Sequence, residues 1–285
     1  MIPSPHYKGK VRDVYDLGDE LLLVATDRIS AFDVVFSEPV LDKGKILTRI
    51  STNWFRYFGN IPNHLVSDDP NQFPLPYKNE ESLVGRSVLV KKAKRIDFEC
   101  VVRGYLTGSA WKEYTKYGTI AETAYPKGIQ ESYKFPSPIF TPARKNDSGH
   151  DENVSEETME KEVGTVLFQK VKQISLKLYQ EAHDLMAKQG ILLCDTKFEF
   201  GLIGDEPILI DEILTPDSSR YWDASTYTLG KTPASFDKQI LRNWLESTSW
   251  DKNPPPPKLP ESLIQELRKK YLELEDKINL CLSQK

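Results

Sequence analysis

Polar and apolar positions alternate from Ile191 to Leu202, which predicts a β-strand. Asp195, Lys197 and Glu199 fall on one face, and Thr196, Phe198 and Phe200 on the other. Gly204-Asp205 carries turn chemistry, and Pro207 to Leu214 reads as the return strand, apolar apart from Asp211 and Glu212. A three-residue loop, Gly204 to Glu206, sets Asp211 opposite Glu199; a two-residue loop sets Ile210 there. Two carboxylates facing each other across a ladder destabilise it unless a positive group lies between them. Lys197 is one candidate for that group and a bound metal is another. A solvated sheet face is the plainer reading of such carboxylates. It is disfavoured here because Asp211-Glu212 interrupts a buried-looking run and Asp217-Ser-Ser-Arg220 follows at once. Acidic residues leaving an apolar strand, then a Pro-Asp-Ser-Ser-Arg loop, suit a hard cation beside an anionic ligand.

Around this hairpin the pattern predicts mixed helices and strands. Lys8, Lys10 and Arg12 alternate about Gly9, which places three cations on one strand face. Asp16 to Asp19 is a turn and Leu21 to Ala25 a buried strand. The basic run is neither a Walker A loop nor a GxGxxG fingerprint. It suits phosphate binding through cationic side chains and close backbone, or a solvated edge strand. Thr26 to Asp33 (TDRISAFD) is a polar loop after a buried strand, a common place for ligand contacts. Residues 44–58 read as an amphipathic helix with Ile46, Ile50, Trp54 and Phe58 in the core.

Strands are predicted over 86–95 and 98–102. Arg103 to Ser109 then forms a glycine-punctuated turn, either a phosphate site or a plain connection with Ser109 as helix N-cap. Residues 121–153 look irregular and carry Arg144, Lys145, Asn146, Asp147, His150 and Asp151; so long a loop is usually functional or disordered. One long helix is predicted from about 155 to 189, capped by Gly190. Helices over 235–248 and 261–282 follow, separated by the stiff Pro254–Pro257 linker.

Composition narrows the function classes. The 285 residues suffice for one large domain or several lobes around a cleft. A net charge of −4 and a pI near 5.7 argue against a nucleic-acid partner. Cys100, Cys194 and Cys281 are scattered without a CxxC, which fits reduced thiols in the cytosol. The start, MIPSPHYKGK, lacks a signal-peptide core, and no apolar run approaches a membrane span. A cytoplasmic protein without a membrane partner is expected.

Six segments together resemble one family. They are GKVRD, TDRISAFD, ECVVRGYLTGS, PARKNDSGHD, DTKFEFGL and DEILTPDSSRYWD, in order, spanning residue 9 to about 223. The family is phosphoribosylaminoimidazole-succinocarboxamide synthase (SAICAR synthetase), of purine biosynthesis. The length and C-terminal helices look like the longer form found in fungi and some bacteria. The resemblance implies an α+β fold related to ATP-grasp and kinase-like folds, with two lobes around an ATP cleft. The lobes would be an N-terminal antiparallel-sheet lobe, 1–97, and a larger lobe, 98–285. It also implies a reaction that joins L-aspartate to the carboxylate of the ribotide CAIR through an acyl phosphate, with ATP and Mg2+. Phosphoryl transfer is mostly positioning and charge neutralisation, which explains the cationic side chains and the metal.

Carried over by motif position, Lys8, Lys10 and Arg12 would face the ATP phosphates, and Lys92 would lie near the adenine-side linker. Glu199 and Asp211 would hold Mg-ATP with Lys197 close by. Arg103, Ser109 and Arg220 would hold the ribotide phosphate, in a site shared with Asp217. Lys145, Asn146, Asp147 and Asp151 would flank the transferred phosphoryl group, and the loop with Asp33 would close over the ribotide. Arg242 is a candidate for the aspartate site. No residue stands out as a general base. The longer form is compatible with a monomer, an oligomer being left open. A small-molecule kinase could use the same basic strand and carboxylate pair, and a non-catalytic nucleotide sensor is the third class.

Overall fold

The computed structural model describes residues 2–146 and 151–283. Two compact units divide the chain. One comprises Met1–Ala93, Thr215–Asp217 and Phe236–Lys285; the other comprises Lys94–Leu214 and Ser218–Ser235. Where the sequence suggests a single cut near residue 97, the C-terminal helices instead group with the N-terminal sheet. Among the described residues no helix is long and apolar enough to cross a membrane.

The first unit holds an antiparallel sheet built from β1 (Tyr7–Lys8), β2 (Arg12–Asp16), β3 (Glu20–Ala25), β6 (Leu65–Ser67) and β7 (Ser87–Lys91), in the order β1-β2-β3-β7-β6. A separate two-stranded hairpin, β4 (Ser30–Ala31) and β5 (Val34–Val35), lies between β3 and α1 (Lys43–Tyr57) in sequence. Helix α1 buries Ile46, Ile50 and Trp54, as its periodicity predicts. The basic stretch departs from expectation. Lys8, Lys10 and Arg12 do not share one strand face, because the chain reverses between β1 and β2, with Lys8 paired to Asp13. The Gly9 amide donates to the Arg12 carbonyl at 2.7 Å, which closes the turn and leaves Lys10 at its tip.

The second unit is a seven-stranded sheet centred on β8 (Lys94–Tyr105) and β14 (Ile191–Ile203). Helix α2 (Gly108–Tyr117) follows β8. The hairpin β9 (Thr119–Ile120) and β10 (Thr123–Ala124) precedes β11 (Lys134–Phe140), which pairs with β8. Strands β12 (Ala143–Arg144) and β13 (Glu152–Asn153) extend the same sheet beyond β8. The described residues of 121–153 are therefore not all a free loop: β8 offers a long edge whose backbone groups need partners. On the other side, β15 (Glu206–Ile210) and β16 (Ser219–Asp223) both pair with β14.

The helix expected from 155 to 189 is two helices, α3 (Glu156–Val163) and α4 (Thr165–Ala187). Gly164 sits between them at φ 87°, outside the helical region and accessible mainly to glycine. Helix α4 buries Phe168, Val171, Leu178, Tyr179 and Met186, and it packs on β14. The predicted C-terminal helices appear as α5 (Gln239–Glu246) and α6 (Glu261–Leu282), both in the first unit. Arg49 of α1 forms a two-pronged ion pair with Glu275 of α6, its second bond 2.8 Å long.

The hairpin register is the two-residue alternative. Ile203 pairs with Glu206 and Glu199 with Ile210, so Gly204-Asp205 alone makes the turn. Strand β15 ends at Ile210, and Asp211 leaves it at φ 64°.

Candidate active site

On β14 the alternation sends Asp195, Lys197 and Glu199 to one face, and the neighbouring strand decides what each meets. Asp195 pairs with Arg103 of β8, and Glu199 pairs with Glu99. The carboxylate opposite Glu199 is thus Glu99, not Asp211. Two lysines sit against this like-charged pair. Lys145 Nζ lies 2.7 Å from Glu199 Oε1 and 4.0 Å from Glu99, and Lys197 Nζ lies 2.9 Å from Glu99 Oε1. Lys145 is set there by its own amide, which donates to the Asp97 carbonyl at 3.0 Å just after β12.

Asp211 still acts on this group. Burial, and next the Asp211 charge, push the Glu199 carboxyl up to about 7, against the pull of Lys145. Burial lowers the Lys145 ammonium, but the Glu199, Glu99 and Asp211 charges outweigh it and the net shift is upward. Lys197 behaves alike: burial is outweighed by Glu99, Asp151 and Glu199. Asp151 also accepts the Asn146 amide at 3.1 Å, so Lys145, Asp151, Lys197, Glu199 and Asp211 do come together. Asp147, like His150, lies outside the described residues. Among the described residues no group of three or more His, Cys, Asp or Glu side chains is arranged as a metal centre.

A second cluster lies further along the same strands. The Arg103 guanidinium, buried, donates to Thr141 Oγ1 at 2.8 Å, Asp195 Oδ2 at 3.1 Å and Ser109 Oγ at 3.2 Å. Arg220, on β16, donates to the same Asp195 oxygen at 2.6 Å. Burial pulls the Arg103 pKa down while Asp195 pushes it up. Arg220 lies over the start of α2: a Cβ at Gly108 would fall 2.4 Å from its Nη2. The N-cap of α2 is Thr107, so Ser109 sits inside the first turn with its hydroxyl accepting from Arg103. One carboxylate, two guanidiniums and a helix N-terminus leave a net positive, geometrically fixed cluster.

In the first unit, Lys10 contacts the Asp33 carboxylate, which joins two predicted residues. Asp33 and Phe32, both at positive φ, make the turn of the β4–β5 hairpin. Arg28, from the polar TDRISAFD loop, holds the Lys10 turn by donating to the Gly9 carbonyl at 3.0 Å, the Lys10 carbonyl at 3.2 Å and Asp13 at 2.7 Å. Lys92 pairs with Asp16 at 2.7 Å, and Lys8 is exposed.

Asp217 belongs to the first unit and is buried between Lys43 at 2.8 Å and Lys238 at 2.9 Å. Burial would raise its carboxyl, but Lys238 and Lys43 outweigh that and hold it well below the usual range. Burial pushes Lys238 down to about 8, against the Asp217 charge. The Asp217 carboxylate is thus paired with two buried ammonium groups.

Glu99, Thr141, Lys43 and Lys238 are residues that sequence reasoning passed over; Asp195 was placed on its strand face and Arg28 in its polar loop without a role. Glu99 carried the same signal as Asp211, a charge inside an apolar strand. For Lys43 and Lys238 no sequence signal exists, since only folding brings them to Asp217.

The family model for SAICAR synthetase matches residues 5–257. The chain belongs to the SAICAR synthetase family. It is 59% identical over 282 residues to the phosphoribosylaminoimidazole-succinocarboxamide synthase of Leptospira interrogans, with 99% of each chain covered. A second relative so named, from Elusimicrobium minutum, is 54% identical over 275 residues, covering 95% of this chain and 94% of that one. The SAICAR synthase of Saccharomyces cerevisiae, solved complexed with SAICAR, superposes with a TM-score of 0.86 at 42% identity, covering 96% and 93% of the two chains. A SAICAR synthetase solved in complex with ADP gives a TM-score of 0.69 at 25% identity, covering 95% and 96%. The chain is accordingly an enzyme, a ligase of this family, and its α+β fold is the family's.

Proposed function

We propose that the chain joins L-aspartate to the carboxylate of CAIR, converting ATP to ADP and phosphate and forming SAICAR. The observation that carries this reading is the Arg103–Asp195–Arg220 cluster with Ser109, a fixed anion site suited to a ribotide phosphate, in a member of the SAICAR synthetase family. The SAICAR and ADP complexes of the two solved relatives support it further.

In this reading Arg103, Ser109 and Arg220 bind the phosphate, and Asp195 keeps the two guanidiniums together. Lys10, with Lys8, Arg12 and Lys92, is assigned to ATP, and Asp33 to the loop over the ribotide. Asp217 is reassigned as the partner of Lys43 and Lys238. A ribotide carboxylate oxygen attacks the γ-phosphorus, and the bond to ADP breaks. The aspartate amine, having lost a proton, then attacks the acyl carbon, and phosphate leaves with the bonding pair. Lys145 and Lys197 offset charge on the transferred group, which needs positioning and neutralisation more than covalent help.

Glu199 and Asp211 are the residues that would hold a magnesium ion. They are hard oxygen donors, and burial and then the Asp211 charge push the Glu199 carboxyl up to about 7, a shift that a bound cation would oppose. Bound there, magnesium would neutralise nucleotide phosphate charge.

The test is phosphate release from ATP with CAIR and L-aspartate omitted in turn. Release that requires both supports the ligase. A stable phosphorylated product formed without aspartate would make the chain a kinase instead.

A further inference from the structure

The buried Arg103–Asp195 pair joins β8 to β14, and one hydroxyl touches the backbone beside both residues. Tyr179, buried on α4, donates from Oη to the Leu193 carbonyl at 2.6 Å. The same oxygen lies closely against Gly104, which follows Arg103. A Cβ at position 104 would lie 2.1 Å from that oxygen, so the contact requires glycine.

Leu193 marks an irregularity in β14. Leu193 pairs with Tyr221 but Asp195 pairs with Arg220, so Cys194 is the extra residue of a β-bulge. Regular pairing would set Cys194 opposite Arg220 and Asp195 opposite Ser219. The bulge thus aligns Asp195 with Arg220 as well as with Arg103. A bulge disturbs the ladder, and a buried carbonyl there needs a partner from elsewhere. Tyr179 supplies it. His183, one turn along α4, stacks on the Tyr179 ring and brings Nδ1 within 3.3 Å of the same carbonyl.

We propose that Tyr179 is a positioning residue for the ribotide site. Its hydroxyl pins the β14 bulge to β8, so that Asp195 presents both guanidiniums to the bound phosphate. The proposal rests on the ribotide-clamp reading above.

Tyr179→Phe keeps the ring and its burial and removes only the hydroxyl. The KM for CAIR is expected to rise about tenfold, with the KM values for ATP and L-aspartate within about twofold and kcat within about threefold of wild type. Gly104→Ala should raise the CAIR KM alone and should cost less in the Tyr179→Phe background, where the clashing oxygen is gone; such coupling marks residues in contact. An unchanged CAIR KM, an equal rise in all three KM values, or a Tyr179→Phe protein without a cooperative melt would each overturn the proposal. Arg220→Ala separates the two levels. If it raises the CAIR KM while Tyr179→Phe does not, the role of Tyr179 falls and the clamp stands. If neither variant moves it, both fall.

Discussion

Glu199 pairs across the sheet with another carboxylate and is mostly buried, so its ionised form is disfavoured in the folded protein. Its ordinary pKa is 4.5 and its folded one about 7. Below pH 4.5 the group is protonated whether folded or not and contributes nothing. Between 4.5 and 7 the unfolded chain loses the proton first, so folding loses stability as pH rises, and the penalty is complete above 7. Metal-free Glu199→Gln protein should therefore melt higher than wild type at pH 8 and equal to it about one pH unit or more below 4.5. A thermal melt at the two values checks the sign. Magnesium should raise the wild-type melting temperature at pH 8 through binding to the native state. Asp211→Asn should lose that response and fall about 100-fold or more in activity, its magnesium-free melt being unchanged within a few degrees. Calorimetry with and without magnesium, beside a phosphate-release assay, tests both. At this scale the sequence was informative about residue type and less so about partner. Asp211 stood out as a charge in an apolar run, yet the residue facing Glu199 is Glu99, one hundred positions away.

Elements show why. The alternation along β14 and the turn at Gly204 predicted the hairpin, but a loop of two residues and one of three fit the same pattern. A slip of one position exchanges every neighbour across the ladder. The observed register leaves Asp211 outside the strand, at a φ of 64°, where alternation no longer says which way its carboxylate points. Periodicity likewise ran through Gly164, because both flanking helices carry apolar residues at helical spacing. A glycine can be tolerated in a helix or can end one, and only its positive φ decides. Gly164→Ala should destabilise the protein by about 1–3 kcal/mol, since the strain of that φ is not relieved by open space around the new methyl group. Urea unfolding gives the value; a stabilised variant would mean that α3 and α4 merge into the single helix the periodicity suggests. Residues 121–153 were misjudged as irregular for the opposite reason. Proline and polar content hid β11, which exists because the long edge of β8 must be paired.

At the scale of the whole molecule, neither compact unit is one continuous stretch of chain. The first unit takes the chain back at 215–217 and again at 236. Both returns are fixed by buried groups that no local pattern announces. Asp217 is held between Lys43 and Lys238. Leu241, Leu245, Leu263 and Leu267, from α5 and α6, complete the core that Ile29, Phe36 and Val40 begin. The family motifs end near residue 223 and do not say which unit takes these helices, and the cut at 97 was what the resemblance implied. The consequence is testable with fragments. Residues 1–97 alone lose the partners of Ile29, Phe36, Val40 and Arg49, and residues 98–285 alone leave the apolar faces of α5 and α6 uncovered. Neither fragment should give a cooperative thermal transition, and both should bind a hydrophobic dye. Burying unpaired lysines is costly, so a fragment that ends before Asp217 leaves Lys43 to drive its end of α1 into solvent. A chain of 1–97 linked directly to 236–285 should recover part of the lost cooperativity, because it restores the α1–α6 contact and the leucine core while lacking only Asp217 and its two neighbours. Restoring 215–217 in that linked chain should raise its melting temperature further, and Asp217→Asn within it should abolish the gain. A cooperative transition from residues 1–97 alone would show that the N-terminal sheet folds without the C-terminal helices.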